Sequence, residues 1–229
     1  MSYPVNMSDT SFNLIDIMNA YANGCFAMAE SAGSDDFHWY QPPMRGQLSI
    51  QSLHIPRRLQ ATIKTFPFTV CINRDFTAVI DHCAARAPDR QETWINRPIR
   101  DIFIALHEAG FAHSVECYDS DDSLVGGVYG LALGGTFCAE SKFSRATDAS
   151  KIALVHLCAR LFHTGFKILD TQFTNPHLAQ FGNYEIPHEE YLELLHTYLH
   201  EKPDFSPANY DEKAHVLDYL DQLKALKNR

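Results

Sequence analysis

The sequence has no stretch near the roughly eighteen consecutive apolar residues that a membrane-crossing helix needs, so no span is expected. It has no CxxC and no close Cys/His pairing. Its six cysteines are scattered at positions 25, 71, 83, 117, 138 and 158, a spacing that points to reduced core thiols rather than disulfides or zinc. The opening stretch, MSYPVNMSDTSFNLIDIMNAY, carries neither a basic leader region nor a small-residue cleavage site, so a cytoplasmic, metal-free protein is expected. Positive charge is scarce: 19 Lys and Arg stand against 28 Asp and Glu, for a formal net charge of −9. That balance excludes a broad, salt-driven nucleic-acid surface. It still permits a local basic patch, since Arg57, Arg58, Lys64 and Arg74 fall together, as do Lys142, Arg145 and Lys151. No GxxxxGK[ST] loop occurs, no GxGxxG opens a helix and no GxSxG surrounds a serine, which disfavours nucleotide cradling and serine-nucleophile chemistry.

The 229 residues, 45% hydrophobic and 21% charged, have the composition of a globular chain long enough for one large or two small domains. Helical spacing of Phe12, Leu14, Ile17, Met18 and Tyr21 predicts a helix over 10–23, ended by Gly24. Residues 31–47 read as loop around the aromatic segment FHWY. Strands are expected near 48–53 and 67–72, with a helix near 56–65 between them, and a longer helix over 97–109 capped by Gly110. FAHSVECYD, LVGGVYGLAL and GGTFCAE predict a three-stranded antiparallel meander. The helix of DASKIALVHLCARLFHTG follows, with Asp148 or Ser150 available as N-cap and Gly165 as its end. FKILDTQF is a strand, 176–181 and 188–200 are helical, 203–209 is a linker, and 210–228 is an amphipathic helix. The expected class is α/β (α+β): a small N-terminal mixed domain over 1–90, an acyltransferase-like domain of ββ(β)αβα order, as in the GNAT fold, over 91–202, and a C-terminal linker and helix over 203–229.

Three stretches could carry chemistry. Five of the eleven glycines fall at 126, 127, 130, 134 and 135 within strand-like sequence, which marks bulges, a tight turn or close approach of a ligand. FCAESKFS places Glu140 and Lys142 at the same strand parity, able to face one cavity, where partly buried charges need partners. ILDTQFTNPHL places Asp170 and Gln172 two apart at the C-terminal end of a strand. A carboxylate there can take a proton and an amide can both donate and accept. The bland alternatives are a rim ion pair for the first two and capping of the next helix for the second two. His113 and His177 read as core or capping residues.

Taken jointly, AYANGCF (20–26), WI (94–95), LHEAGFAHSVE (106–116), LVGGVYG (124–130), FCAESKFS (137–144), DASK (148–151) and LDTQFTNPHLAQFG (169–182) resemble the leucyl/phenylalanyl-tRNA–protein transferase family over about residues 12–200. The resemblance implies a soluble enzyme without metal or cofactor, able to work as a monomer. It would move an amino acid from aminoacyl-tRNA onto the N-terminal α-amine of acceptor proteins, marking them for N-degron degradation. It also implies catalytic roles for Asp170, Gln172 and Glu140, stacking of the tRNA 3′-adenosine on Trp94, and a donor side-chain pocket lined by Val128, Phe137, Lys142, Leu154 and Leu157. Contact with only the tRNA end reconciles a tRNA substrate with the −9 charge.

The chain departs from the family pattern in three places. FAM stands where FPW is usual, so Met28 takes the place of a second adenosine-contacting Trp. AESKFS replaces GESMFS, and DASK replaces NASK. Lys142 therefore replaces an apolar residue of the donor pocket. It can reach the rim or pair with Glu140, redirect acceptor choice toward acidic N-termini, or accompany a change of donor to arginine, which is the alternative reading. Two rival classes stand beside these: an acyl-CoA transferase, which lacks the glycines of a pyrophosphate turn in SRATDASK, and a non-catalytic binder of peptide or tRNA ends.

Overall fold

The computed structural model describes residues 3–4, 13–86 and 92–227. In chain order the first half gives β1 (Tyr3–Pro4), α1 (Leu14–Ala22), β2 (Phe26–Met28), β3 (His38–Tyr40), β4 (Met44–Leu48), α2 (Arg57–Lys64), β5 (Thr69–Ile72) and α3 (Phe76–Ala84). The second half opens with α4 (Arg97–Glu108), β6 (Ala112–Tyr118), β7 (Leu124–Leu133), β8 (Thr136–Ser144) and α5 (Ala149–Thr164). It continues with β9 (Ile168–Gln172), α6 (Pro176–Ala179), β10 (Tyr184–Pro187), α7 (His188–Tyr198) and α8 (Glu212–Lys227). Phe12 of the first expected helix lies outside the described residues, as does the expected domain boundary near residue 90.

A mixed sheet in the order β10-β4-β9-β8-β7-β6-β5 forms the centre, and a small sheet, β1-β3-β2, lies apart. Strands β4 and β5, from before residue 90, are thus hydrogen-bonded into the same sheet as the later strands. The expected meander is β6-β7-β8, antiparallel throughout. Among the described residues only β8 and β9 run parallel, paired at Thr136–Ile168, Phe137–Leu169 and Cys138–Asp170. Beyond Cys138 and Asp170 this pairing stops although both strands continue, so the sheet opens at the carboxyl end of its parallel pair.

Helix α5 is apolar around nearly its whole circumference because it is covered on every side, by the sheet and by α2 and α8. Its N-cap residue Asp148 adopts φ 64° and makes no side-chain cap; it pairs instead with Lys151 at 2.7 Å. The expected linker over 203–209 is partly core: Phe205 is buried and stacks on Phe137 (5.2 Å) and His113 (4.3 Å). Helix α8 then lies on α5, with Val216, Tyr219, Leu220 and Leu223 buried, and the Tyr219 hydroxyl donates to the Ile50 carbonyl at 2.6 Å. Arg160 of α5 ion-pairs with Glu212 at the start of α8 and donates to the Phe205 carbonyl at 2.6 Å.

Several local expectations shift. The strand expected near 48–53 is found at Met44–Leu48. Ile50, Leu53 and Ile55 still point inward, but into the core beneath α5 rather than into a ladder. FHWY contributes β3 of the small sheet, and α3 and β10 were not anticipated. Helix α3 buries Phe76, Val79, Ile80 and Cys83 at helical spacing, with the Asp75 side chain accepting from Ala78 N–H at 2.9 Å.

Candidate active site

Two bulges lie side by side where the sheet opens. Between β7 and β8 the register passes from Gly130–Ala139 to Tyr129–Ser141, leaving Glu140 as the extra residue. Between β4 and β9 it passes from Gly46–Gln172 to Gln47–Asp170, leaving Thr171 unpaired, and Gln172 sits at φ 62°. Glycine is required beside the first bulge: a Cβ on Gly130 would lie 2.2 Å from the Cys138 carbonyl oxygen. Gly46 serves the second, where a Cβ would lie 2.7 Å from the Phe173 backbone. The first bulge takes Glu140 out of the ladder, and beside the second Gln172, still paired with Gly46, reaches Glu140 with its side chain.

Asp170 is fully buried and fully engaged. Arg45 donates to it twice, from Nε to Oδ1 at 2.9 Å and from Nη2 to Oδ2 at 2.6 Å. Gln172 N–H donates to Oδ1 at 2.8 Å, and the Tyr191 hydroxyl to Oδ2 at 3.1 Å. These four donors fill the four lone-pair directions of a carboxylate. Arg45 is equally buried: Nη1 donates to the Gly24 carbonyl at 2.8 Å, and the guanidinium lies over Phe26 (4.7 Å) and Tyr191 (4.5 Å). Its pKa is raised, the pull of Asp170 outweighing the desolvation that opposes it.

Glu140 is differently held. Its Oε1 accepts from the Tyr21 hydroxyl and from Gln172 Nε2, each at 2.9 Å, while Oε2 is buried with no hydrogen-bond partner among the described residues. Burial pushes this carboxyl up to about 7, against the opposing bonds from Gln172 and Tyr21. The Tyr21 hydroxyl is held well above its ordinary range by burial and by Glu140. Beside Asp170, burial likewise raises the Cys138 thiol.

A cavity of about 80 Å³ adjoins Glu140. Val128, Leu154 and Leu178 form its apolar wall, and Glu140, Lys142 and Asn175 its polar one. It is roughly half the size of the ~150 Å³ apolar cavity known to admit benzene, so a leucine or phenylalanine side chain needs the lining to move. Lys142 has the longest side chain of that lining. Desolvation pushes its ammonium down to about 8, the nearby Cys83 opposing, and no ion pair joins it to Glu140 or to another described residue.

The structure therefore brings Glu140, Gln172 and Asp170 together, with Val128, Lys142 and Leu154 around the adjoining cavity. Phe137 and Leu157 are buried in the core behind it and do not line it. Trp94 and Met28 form a separate half-buried pair at the small sheet, where Ala29 N–H donates to the Trp94 carbonyl at 3.1 Å. His113 is half-buried and stacks on Phe205 at 4.3 Å, whereas His177, expected as a core or capping residue, is exposed beside Phe181. Sequence reasoning missed Arg45, Tyr21 and Tyr191. In the sequence Tyr21 belongs to a helix face and to the AYANGCF stretch without a role of its own, and Arg45 is a lone arginine beside apolar neighbours, a weak signal of a buried partner. Among the described residues no group of three or more His, Cys, Asp or Glu could hold a metal, and no helix is long and apolar enough to cross a membrane.

A family model described as leucyl/phenylalanyl-tRNA protein transferase matches residues 47–196. A leucyl/phenylalanyl-tRNA–protein transferase of Phenylobacterium zucineum is 48% identical over 194 residues, 85% of this chain and 87% of that protein. One from Nitrobacter winogradskyi is 45% identical over 213 residues, 93% of each chain. One from Caulobacter vibrioides is 45% identical over 197 residues, 86% of this chain and 90% of that one. Among solved structures, L-PGS from Bacillus licheniformis aligns with 90% of this chain and 67% of that one, at 10% identity and a TM-score of 0.38, a likeness that carries no argument.

Proposed function

The chain belongs to the leucyl/phenylalanyl-tRNA–protein transferase family, and on that premise we propose how its site transfers leucine or phenylalanine from aminoacyl-tRNA to a protein's N-terminal α-amine. The observation that supports this reading best is the meeting of Glu140, Gln172 and Asp170 at the open end of the β8–β9 pair, against a cavity with an apolar wall.

The donor is an ester and the product an amide, so the reaction runs downhill without ATP. The amine attacks the ester carbonyl carbon, the C–N bond forms, and the bond to the ribose 3′-oxygen breaks. The site must hold the neutral amine in line, take its proton and steady the charge that develops on the carbonyl oxygen. Gln172, anchored at Glu140 by its amide and at Asp170 by its backbone, supplies an orienting dipole; Asp170 and Glu140 supply the carboxylates. Val128, Leu154 and the stem of Lys142 receive the donor side chain, with Phe137 and Leu157 as the packing behind them. Trp94 offers a stacking face to the terminal adenosine, and Met28 a smaller apolar contact beside it.

A GNAT-like arrangement is part of the same proposal. Its support is the meander followed by a buried helix and a parallel strand that parts from its neighbour at the site. The division at about residue 90 is proposed in a functional sense: Met28 before it and Trp94 just after it present the tRNA end, and the rest of 91–202 carries Glu140, Asp170 and Gln172. The proposal places the enzyme in the cytoplasm, with aminoacyl-tRNA and acceptor N-termini as its partners and no resident cofactor.

The arginine-donating alternative is not favoured. The relatives carry the leucyl/phenylalanyl name, and an unpaired Lys142 ammonium would repel an arginine side chain in the same cavity. The test is transfer from tRNA charged with labelled leucine, phenylalanine or arginine onto reporters that begin with Arg, Lys, Asp or Glu. Incorporation of leucine or phenylalanine is expected, and no incorporation in any combination would sink the enzyme reading.

A further inference from the structure

We propose that Glu140 is the group that takes the amine's proton, and that Tyr21 is a positioning residue that sets how readily it does so, while Asp170 is closed to that role by Arg45. The inference rests on the transferase reading above. It comes from comparing the lone pairs of the two carboxylates. Asp170 accepts four hydrogen bonds, two of them from one guanidinium, and presents no surface to solvent. An incoming amine finds no free acceptor there. Glu140 accepts only two, both on Oε1, and lines the cavity. Its Oε2 is the oxygen with open capacity, and it is already desolvated, so accepting a proton relieves a buried charge instead of creating one.

The step balances simply. The amine nitrogen bonds to the ester carbonyl carbon and its proton passes to Glu140 Oε2. The 3′-oxygen leaves the same carbon and recovers that proton from the neutral carboxyl, so that Glu140 ends each cycle ionised. Tyr21 lies 119 residues away in sequence and reaches Glu140 from α1. Its hydroxyl donates to the ionised carboxylate, favouring the form that can act as base. The charged and titratable groups that act on Glu140 are Tyr21 from α1, Arg45 from β4, Cys138 from β8 and Asp170 from β9, with Lys142 of β8 across the cavity; Tyr129 of β7 stands behind Tyr21 and Tyr191 of α7 behind Asp170. Burial raises the carboxyl to about 7, where a base of this kind is most useful near neutrality.

The experiment is single-turnover leucine transfer by the full chain at saturating acceptor, followed between about pH 5.5 and 8.5, with one acceptor peptide throughout. The acceptor's own α-amine titrates in part of this range, but identically for every enzyme variant, so shifts between variants report the enzyme. Tyr21→Phe keeps the ring packed and removes the donor, so the acid limb should move up by about one pH unit. Glu140→Gln should leave only the acceptor amine's own limb and lower the rate about 10²- to 10³-fold, and Glu140→Asp should restore part of both effects. A purely structural role for Tyr21 would lower the rate without moving the limb. An unmoved limb in Tyr21→Phe, or a Glu140→Gln enzyme that keeps the wild-type limb, overturns the proposal. A wild-type enzyme that transfers nothing overturns the reading beneath it instead, so the two failures are distinguishable.

Discussion

Replacing Arg45 with methionine should be the most damaging single change to stability near the site that leaves its shape nearly intact. Both members of the Arg45–Asp170 pair are fully buried, and their two hydrogen bonds, of 2.9 and 2.6 Å, would vanish together. The Gly24 carbonyl would lose its donor as well, and Phe26 and Tyr191 a cation over their faces. Methionine fills most of the same volume, so the cavity contribution is small and electrostatics dominates. Removing one partner of a buried pair leaves an uncompensated charge, at a cost of about 3–5 kcal/mol. That is a large share of the ~5–15 kcal/mol that holds a typical domain together. At roughly 2–4 °C per kcal/mol for a chain of this length, the midpoint should fall by about 10 °C. Thermal unfolding followed by circular dichroism measures the midpoint, and urea unfolding the free energy. The double variant Arg45→Met with Asp170→Asn should recover about 2 kcal/mol of the loss, because the stranded charge is gone. A single variant that loses under about 1 kcal/mol, or a double variant no more stable than the single one, would refute the placement of a buried charge pair behind the site.

Other outcomes follow from neighbouring features. Lys142→Met should stabilise the protein by about 1–3 kcal/mol near pH 7, since the folded ammonium titrates near 8 whereas the unfolded one stays charged to higher pH. The destabilisation by Lys142 is full below pH 8 and fades as pH rises from there toward the unfolded value, so the gap between variant and wild type should close on that side; a constant gap across pH would contradict it. The same variant should raise the preference for phenylalanine over leucine in competition between the two charged tRNAs, by enlarging the cavity beside Val128 and Leu154. Gly130→Ala should lower both stability and transfer rate, because its Cβ would meet the Cys138 carbonyl at 2.2 Å beside the bulge that presents Glu140; an unchanged rate would show the bulge to be unimportant. Trp94→Ala should raise KM for aminoacyl-tRNA about tenfold with kcat little changed, as loss of one stacked base predicts, and a pure kcat effect would argue against stacking. Deleting residues 203–229 should expose the α5 face and the Phe137 ring and abolish cooperative unfolding, whereas a truncated chain with a sharp transition would show α8 to be dispensable.

The sequence by itself determined the regular parts. The meander over 112–144, α5 and its glycine end, and β9 follow from local periodicity and punctuation, which act over a few residues and are fully written in the chain. Strand parity paired Glu140 with Lys142 and Asp170 with Gln172, while only the motif set, which placed the chain in its family, joined the two pairs. Other elements were illegible for stated reasons. Strand β4 was shifted because Leu48 and Ile50 alternate like a strand, yet Ile50, with Leu53 and Ile55 beyond it, serves the core beneath α5. Phe205 sat in a Pro-rich stretch whose composition says linker, while its ring is held between Phe137 and His113. Only the tertiary structure decided which carboxylate is spent on structure and which is left open. Arg45 reaches Asp170 across 125 residues and Tyr21 reaches Glu140 across 119. Two bulges, invisible to periodicity because each adds a single residue, lie where Glu140 and Gln172 meet. The chemistry of a carboxylate is set by how many of its lone pairs are already taken, and that count is settled by neighbours distant in the chain.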